Sequence, residues 1–135
     1  MVYDVWAQVP TVQDYIRIRL AAGLSRKTEE AVTVGLKNSL FAVTVFLGDE
    51  PVGIGRVVGD GGCFFEIVDI AALPEHQGRG VGKLIMDALM VYLHEHAPES
   101  AYVSLMADHG TPDFYEKFGF TRAQAPKAAG MVLRL

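Results

Sequence analysis

The chain has 135 residues, which fits one domain spanning 1–135 and lets roughly two-thirds of the unfolded surface be buried. Half the residues are hydrophobic, 21% are charged and the net charge is −4 at neutral pH, the balance of a globular protein rather than a disordered one. No Lys/Arg run and no apolar run of about 18 residues occurs, so neither general nucleic-acid binding nor a membrane span is expected.

Residues 3–9 read as a short strand, and Pro10-Thr11 opens a helix. Thr11 can cap it, and Asp14 three residues later fits a capping-box-like start. Ile16, Leu20 and Leu24 lie four apart and predict its buried face. A break over Gly23–Lys27 is followed by Thr28, which caps a shorter helix running to about Lys37. The period then changes. Residues 40–47, 52–58 and 63–73 are rich in β-branched and aromatic types and are joined by short Gly-containing turns, which predicts an antiparallel meander. After Pro74 comes a Gly-rich loop, then a helix over about 80–96 with Val81, Leu84, Ile85, Ala88, Leu89, Tyr92 and Leu93 on one stripe. Residues 101–106 are a strand, so strand–helix–strand predicts a parallel crossover. A short helix over 112–118 and strands over 119–123 and 131–135 complete the expectation.

The loop Gln77-Gly78-Arg79-Gly80-Val81-Gly82-Lys83 is the main chemical signal. It follows a strand and opens a helix, with three glycines in five positions where backbone can approach a ligand closely. The first turn of a helix has free N–H groups and the positive end of the dipole, together a receptor for phosphate oxygens. Arg79 and Lys83 add cationic donors. A Walker loop is excluded, because Gly78 and Gly82 are only four apart and Leu84 stands where Ser or Thr is needed. A dinucleotide fingerprint is excluded because Lys83 replaces its third glycine.

Gln77-x-x-Gly80-x-Gly82 resembles the pyrophosphate loop of GNAT acetyltransferases. Ile70 to His76 resembles the strand that leads into that loop, and Phe114-Tyr115-Glu116-Lys117-Phe118-Gly119-Phe120 resembles the family's Y-E-K-x-G-F segment. The resemblance covers about residues 40–123. It implies a mixed α/β fold, with a mostly antiparallel twisted sheet of about six to seven strands flanked by about four helices. It implies acetyl-CoA as co-substrate and acetyl transfer to a primary amine of a small molecule or peptide; no metal is expected, since no metal-ligand spacing occurs.

The same resemblance assigns residues. Main-chain N–H groups of Gln77, Gly78, Arg79, Gly80, Val81 and Gly82 hold the CoA diphosphate, and main-chain groups of Ile70, Ala71, Ala72 and Leu73 face pantetheine. An N–H near Ile70 or Ala72 polarises the thioester carbonyl. Tyr115 is the candidate acid for the leaving thiolate. Asp108 occupies the place, seven residues before it, where the family often has a cofactor-contacting Asn; an Asp cannot donate as an amide does. Glu66 and Asp69 are the candidate bases. Glu66, eleven residues before Gln77, resembles the catalytic glutamate of the histone-acetylating branch. Three positions apart on an ideal strand, the two acids are expected on opposite faces.

Among the remaining residues, His109 is a loop group able to act in acid–base chemistry or substrate binding, and His76 is expected at the surface beside the loop. No histidine shows a metal-binding spacing. Phe64, Phe65 and Trp6 are expected in the core, and the lone Cys63 reads as a small buried or turn residue that allows no intrachain disulfide. The opening residues lack a secretory leader pattern, so a cytoplasmic location is expected. Specificity is expected from residues 11–38. A non-catalytic acyl-CoA sensor is the alternative reading. The acceptor, the acyl length and the oligomeric state stay open, with a homodimer as one expectation.

Overall fold

The computed structural model describes residues 2–108, 110–123 and 127–135. They form two compact units, residues 1–104 and 105–135. The first holds β1 (Tyr3–Trp6), α1 (Val12–Ala21), α2 (Glu29–Lys37), β2 (Phe41–Leu47), β3 (Glu50–Gly59), β4 (Phe64–Ala72), the 3-10 turn Pro74–His76 and α3 (Val81–His96). β5 (Tyr102–Leu105) has its first three residues in the first unit and Leu105 in the second, and α4 (Pro112–Glu116) belongs to the second.

Five strands lie in sequence order, β1-β2-β3-β4-β5. β1 to β4 are antiparallel neighbours, as short turns require. β5 follows the α3 crossover, and the Tyr102 N–H donates to the Cys63 carbonyl (2.8 Å). Those two strands therefore start at the same end of the sheet, which makes the sheet mixed. The mixed α/β class holds, with five strands among the described residues where six to seven were expected. Residues 119–123 and 131–135 form none. Met131, Val132, Leu133 and Leu135 are exposed; β propensity alone supplies no neighbouring edge for their main-chain groups.

α3 covers one face of the sheet. A Cβ at Gly55 would stand 2.4 Å from Ile85 Cγ2, so only glycine lets the helix pack this closely. Val81, Ile85, Met86, Leu89 and Leu93 are its buried residues; Met86 extends the expected stripe, while Leu84, Ala88 and Tyr92 lie at its half-buried margin. On the other face lie α1 and α2, each capped as the sequence predicts. Thr11 accepts from the Asp14 N–H (3.1 Å) and Thr28 from the Ala31 N–H (3.2 Å).

The buried face of α1 differs from expectation. Tyr15, Ile18 and Arg19 are buried, whereas Leu20 is exposed and Ile16 and Leu24 are half-buried. An arginine holds an inward position because a buried carboxylate awaits it, which apolar spacing does not reveal. Phe65 is in the core, but Phe64 and Trp6 are exposed, on the flank of β4 and on the edge strand β1. Cys63 lies exposed in the turn before β4.

Candidate functional site

The site begins with an irregularity in β4. Its pairing with β3 shifts register between Ile54 and Arg56, so one extra residue is accommodated on β4. Asp69 sits there with φ 63, in the left-handed region that Asp tolerates better than most residues.

This insertion corrects the expected placement of the two strand acids. Val68 pairs with Arg56, and Glu66 with Val58, so all four lie on one face. Asp69 also reaches that face: its carboxylate accepts from Arg56 Nε (2.7 Å) and from Arg19 Nη1 (2.5 Å). Both acids therefore face α1 and α2. Simple alternation fails because the extra residue advances the pleat by one.

The Asp69 carboxylate is nearly sealed from water, with 5% of its side chain exposed. Arg19 also donates to the Ser25 carbonyl and hydroxyl (2.8 and 3.1 Å), and Arg56 to the Gly35 carbonyl and Ser39 hydroxyl (3.0 and 2.9 Å). Both guanidiniums lie over the Tyr15 ring, each 5.6 Å from its centroid, and burial first, then the Asp69 carboxylate, pushes the Tyr15 pKa up to about 12. Sequence reasoning missed Arg19, Arg56 and Tyr15. The one available signal was Arg56, a charge inside an apolar strand.

Beyond the insertion, main-chain direction is settled by one bond. Leu73 N–H donates to the Val52 carbonyl of β3 (2.9 Å). Alternation along the strand then points the main-chain groups of Ala71 toward β3, and those of Ile70 and Ala72 to the opposite edge. The Gln77 side chain donates to the Ala72 carbonyl (3.0 Å), which agrees with that direction and ties the loop to the strand. Of the four residues expected to face pantetheine, Ile70 and Ala72 direct their amides away from β3.

The loop follows at once. Gly78 (φ 74) and Gly80 (φ 85) take conformations that favour glycine, and a Cβ on either would meet nothing within 4 Å. Gly80 is the N-cap of α3; no side chain caps that end, and no acid lies in the first turn. The first intrahelical donor is Leu84, bonded to the Gly80 carbonyl (3.0 Å). The amides of Val81, Gly82 and Lys83 therefore precede the hydrogen-bonded ladder, at the positive end of the dipole. Such a terminus with open space above it fits a diphosphate. Lys83 pairs with Asp87 (2.8 Å) in an exposed bridge worth little in itself.

His76 is buried, contrary to its expected surface position. Its Nδ1 pairs with the Tyr3 hydroxyl (2.8 Å) and the rings meet edge-on, so it pins the 3-10 turn to β1. Among the described residues no cluster of His, Cys, Asp or Glu could hold a metal ion, and no helix is long and apolar enough to cross a membrane.

In the second unit, Tyr115 lies half-buried on α4, its ring edge-on to Phe114 (5.0 Å). Burial, and then the Asp108 carboxylate, raise its pKa above the usual 10. Asp108 is exposed, and its carbonyl accepts from the Thr111 N–H and hydroxyl (3.0 and 2.7 Å). His109 lies outside the described residues.

A bulged strand running into a Gly-rich helix start, in a mixed sheet flanked by helices on both faces, is the architecture of a GNAT-type fold. Residues 38–122 match the acetyltransferase (GNAT) domain, and the chain belongs to that family. It is 32% identical over 123 residues to a ycf52-like N-acetyltransferase of Prochlorococcus marinus, covering 87% of this chain and 67% of that one. It is 27% identical over 106 residues to the N-acetyltransferase ycf52 of Pyropia yezoensis, covering 76% of this chain and only 60% of that protein. Among solved structures, the probable acetyltransferase SA2161 of meticillin-resistant Staphylococcus aureus is 45% identical, with a TM-score of 0.93 over 99% of this chain and 100% of that one. The GNAT family protein SP0256 of Streptococcus pneumoniae is 25% identical, with a TM-score of 0.80 over 99% and 98%.

Proposed function

We propose that this chain transfers the acetyl group of acetyl-CoA directly to a primary amine of a small molecule or peptide. The observation that carries the reading is the continuity of two features. Amides at Ile70 and Ala72, directed away from β3, run within a few residues into an uncapped, acid-free helix start at Gly80. One end suits a thioester carbonyl and the other a diphosphate.

In this reading the amides of Gln77 through Gly82 bind the diphosphate, helped by the α3 dipole and by Arg79. The Ile70 or Ala72 N–H donates to the thioester oxygen as negative charge develops there. An ammonium has no lone pair, so a base must take its proton before attack. Glu66 is assigned this role, directly or through a water, because Asp69 is committed to two guanidiniums. Tyr115 gives its proton to the departing thiolate; its raised pKa keeps that proton in place at neutral pH. Residues 11–38, above the face shared by the two acids, shape the acceptor pocket.

The test is thiol release from acetyl-CoA across polyamines, arylalkylamines, aminoglycosides, amino acids and peptides, alongside calorimetry with CoA. Release with one acceptor class, lost in Glu66→Gln, supports the proposal. CoA binding with no release from any acceptor favours the non-catalytic sensor. Absence of CoA binding refutes both.

A further inference from the structure

The geometry points to Arg19, Asp69 and Arg56 as positioning residues: a buried ion triad that holds the β4 bulge open and so aims the Ile70 amide at the thioester. This rests on the acetyl-transfer reading and goes beyond it, since these groups act through the backbone.

A non-glycine residue at φ 63 is strained, and such conformations persist only where the surroundings over-determine them. Here the surroundings are specific. Each carboxylate oxygen of Asp69 is taken by a different arginine, one from α1 and one from β3. Arg19 is itself tied to Ser25 after α1, and Arg56 to Gly35 and Ser39 at the end of α2. The Tyr15 ring lies under both guanidiniums, 5.6 Å from each. Asp69 is thus held by two arginines, both on the face away from α3.

The consequence falls on the next residue. Were residue 69 to relax into extended backbone, the pleat beyond it would lose the one-residue advance. The Ile70 N–H would then turn toward β3 instead of the side away from it. Burying two guanidiniums on one carboxylate is an expensive way to stabilise a fold. Arg19 Nε even lies buried without a hydrogen-bond partner. Such an arrangement is better explained by holding a particular backbone conformation than by stability.

The test uses Asp69→Asn, which removes the charge but keeps a side chain tolerant of positive φ, and Arg56→Lys, which keeps both charges but loses the Nε contact. Three quantities are read for each variant and for the wild type: CoA affinity by calorimetry, kcat, and the carbonyl stretch of bound isotope-labelled acetyl-CoA by infrared spectroscopy. The expected result is CoA affinity within about threefold of wild type, because the loop is untouched. kcat falls at least about tenfold, and the carbonyl band moves toward that of the free thioester. A kcat loss with an unmoved band would mean Asp69 acts as the base itself and overturns the proposal. So would an unchanged kcat, or CoA affinity falling in step with kcat. If Asp69→Asn does not fold, Arg56→Lys decides by the same readouts. In the ligand-free protein, the HN–Hα coupling of residue 69 in Arg56→Lys should shift toward extended-strand values; an unchanged coupling also overturns the proposal. Failure of the wild type to bind acetyl-CoA removes the underlying reading instead, and this inference with it.

Discussion

Gly80→Ala separates the requirement for a ligand from the requirement for a fold. Gly80 has φ 85 and ψ 8, and an added Cβ meets no protein atom within 4 Å. The cost to the protein alone is therefore backbone strain, about 1–2 kcal/mol for an L-residue in the left-handed region. At this chain length that is a fall of about 3–8 °C in Tm. The cost to CoA is additional, because the methyl occupies the space through which amides reach the diphosphate. Loss of one charge-assisted hydrogen bond is worth about 1.5–3 kcal/mol, which raises the Kd roughly ten- to hundredfold. Gly48→Ala is the matched control: Gly48 has φ 61, an added Cβ again meets nothing within 4 Å, and it lies in the β2–β3 turn. Calorimetry with CoA and thermal melts on both variants check the argument. Similar Tm losses are expected, with weakened CoA binding in Gly80→Ala alone. A folded Gly80→Ala protein binding CoA as tightly as wild type would refute the diphosphate assignment.

Tyr115→Phe should leave Tm within about 2 °C, since the ring is kept, and lower kcat by about 10²–10³ with the best acceptor, read by thiol release. The active form of Tyr115 is protonated, so activity falls as pH rises through its raised pKa. Asp108→Asn removes a charge that raises that pKa, and the alkaline limb of the kcat profile should move to lower pH; a limb that stays put refutes the coupling. Tyr15 has a folded pKa of about 12 against 10 unfolded, so its stabilisation is complete below pH 10 and is lost as pH rises toward 12. Chemical denaturation should show that alkaline loss in wild type and not in Tyr15→Phe. Asp69→Ala, leaving two buried guanidiniums uncompensated, should cost roughly 3–5 kcal/mol by the same assay.

Everything local was legible in the sequence. Thr11 and Thr28 cap their helices as their positions predict, because a cap depends on a few neighbouring residues. The meander follows from short turns, and the loop from Gln77 to Gly82 follows from glycines ahead of an amphipathic helix. Tertiary structure decided what depends on partners distant along the chain. Residues 119–123 and 131–135 have strand-like composition but form no strand. His76 is drawn inward by Tyr3, seventy-three residues away. Arg19 displaces the expected apolar stripe of α1 because Asp69, fifty residues on, needs a counter-charge. Above all, the extra residue in β4 placed Glu66 and Asp69 on one face and turned the Ile70 amide away from β3. A strand's period can be read from its own residues; a register shift belongs to the pair of strands, and only their packing reveals it.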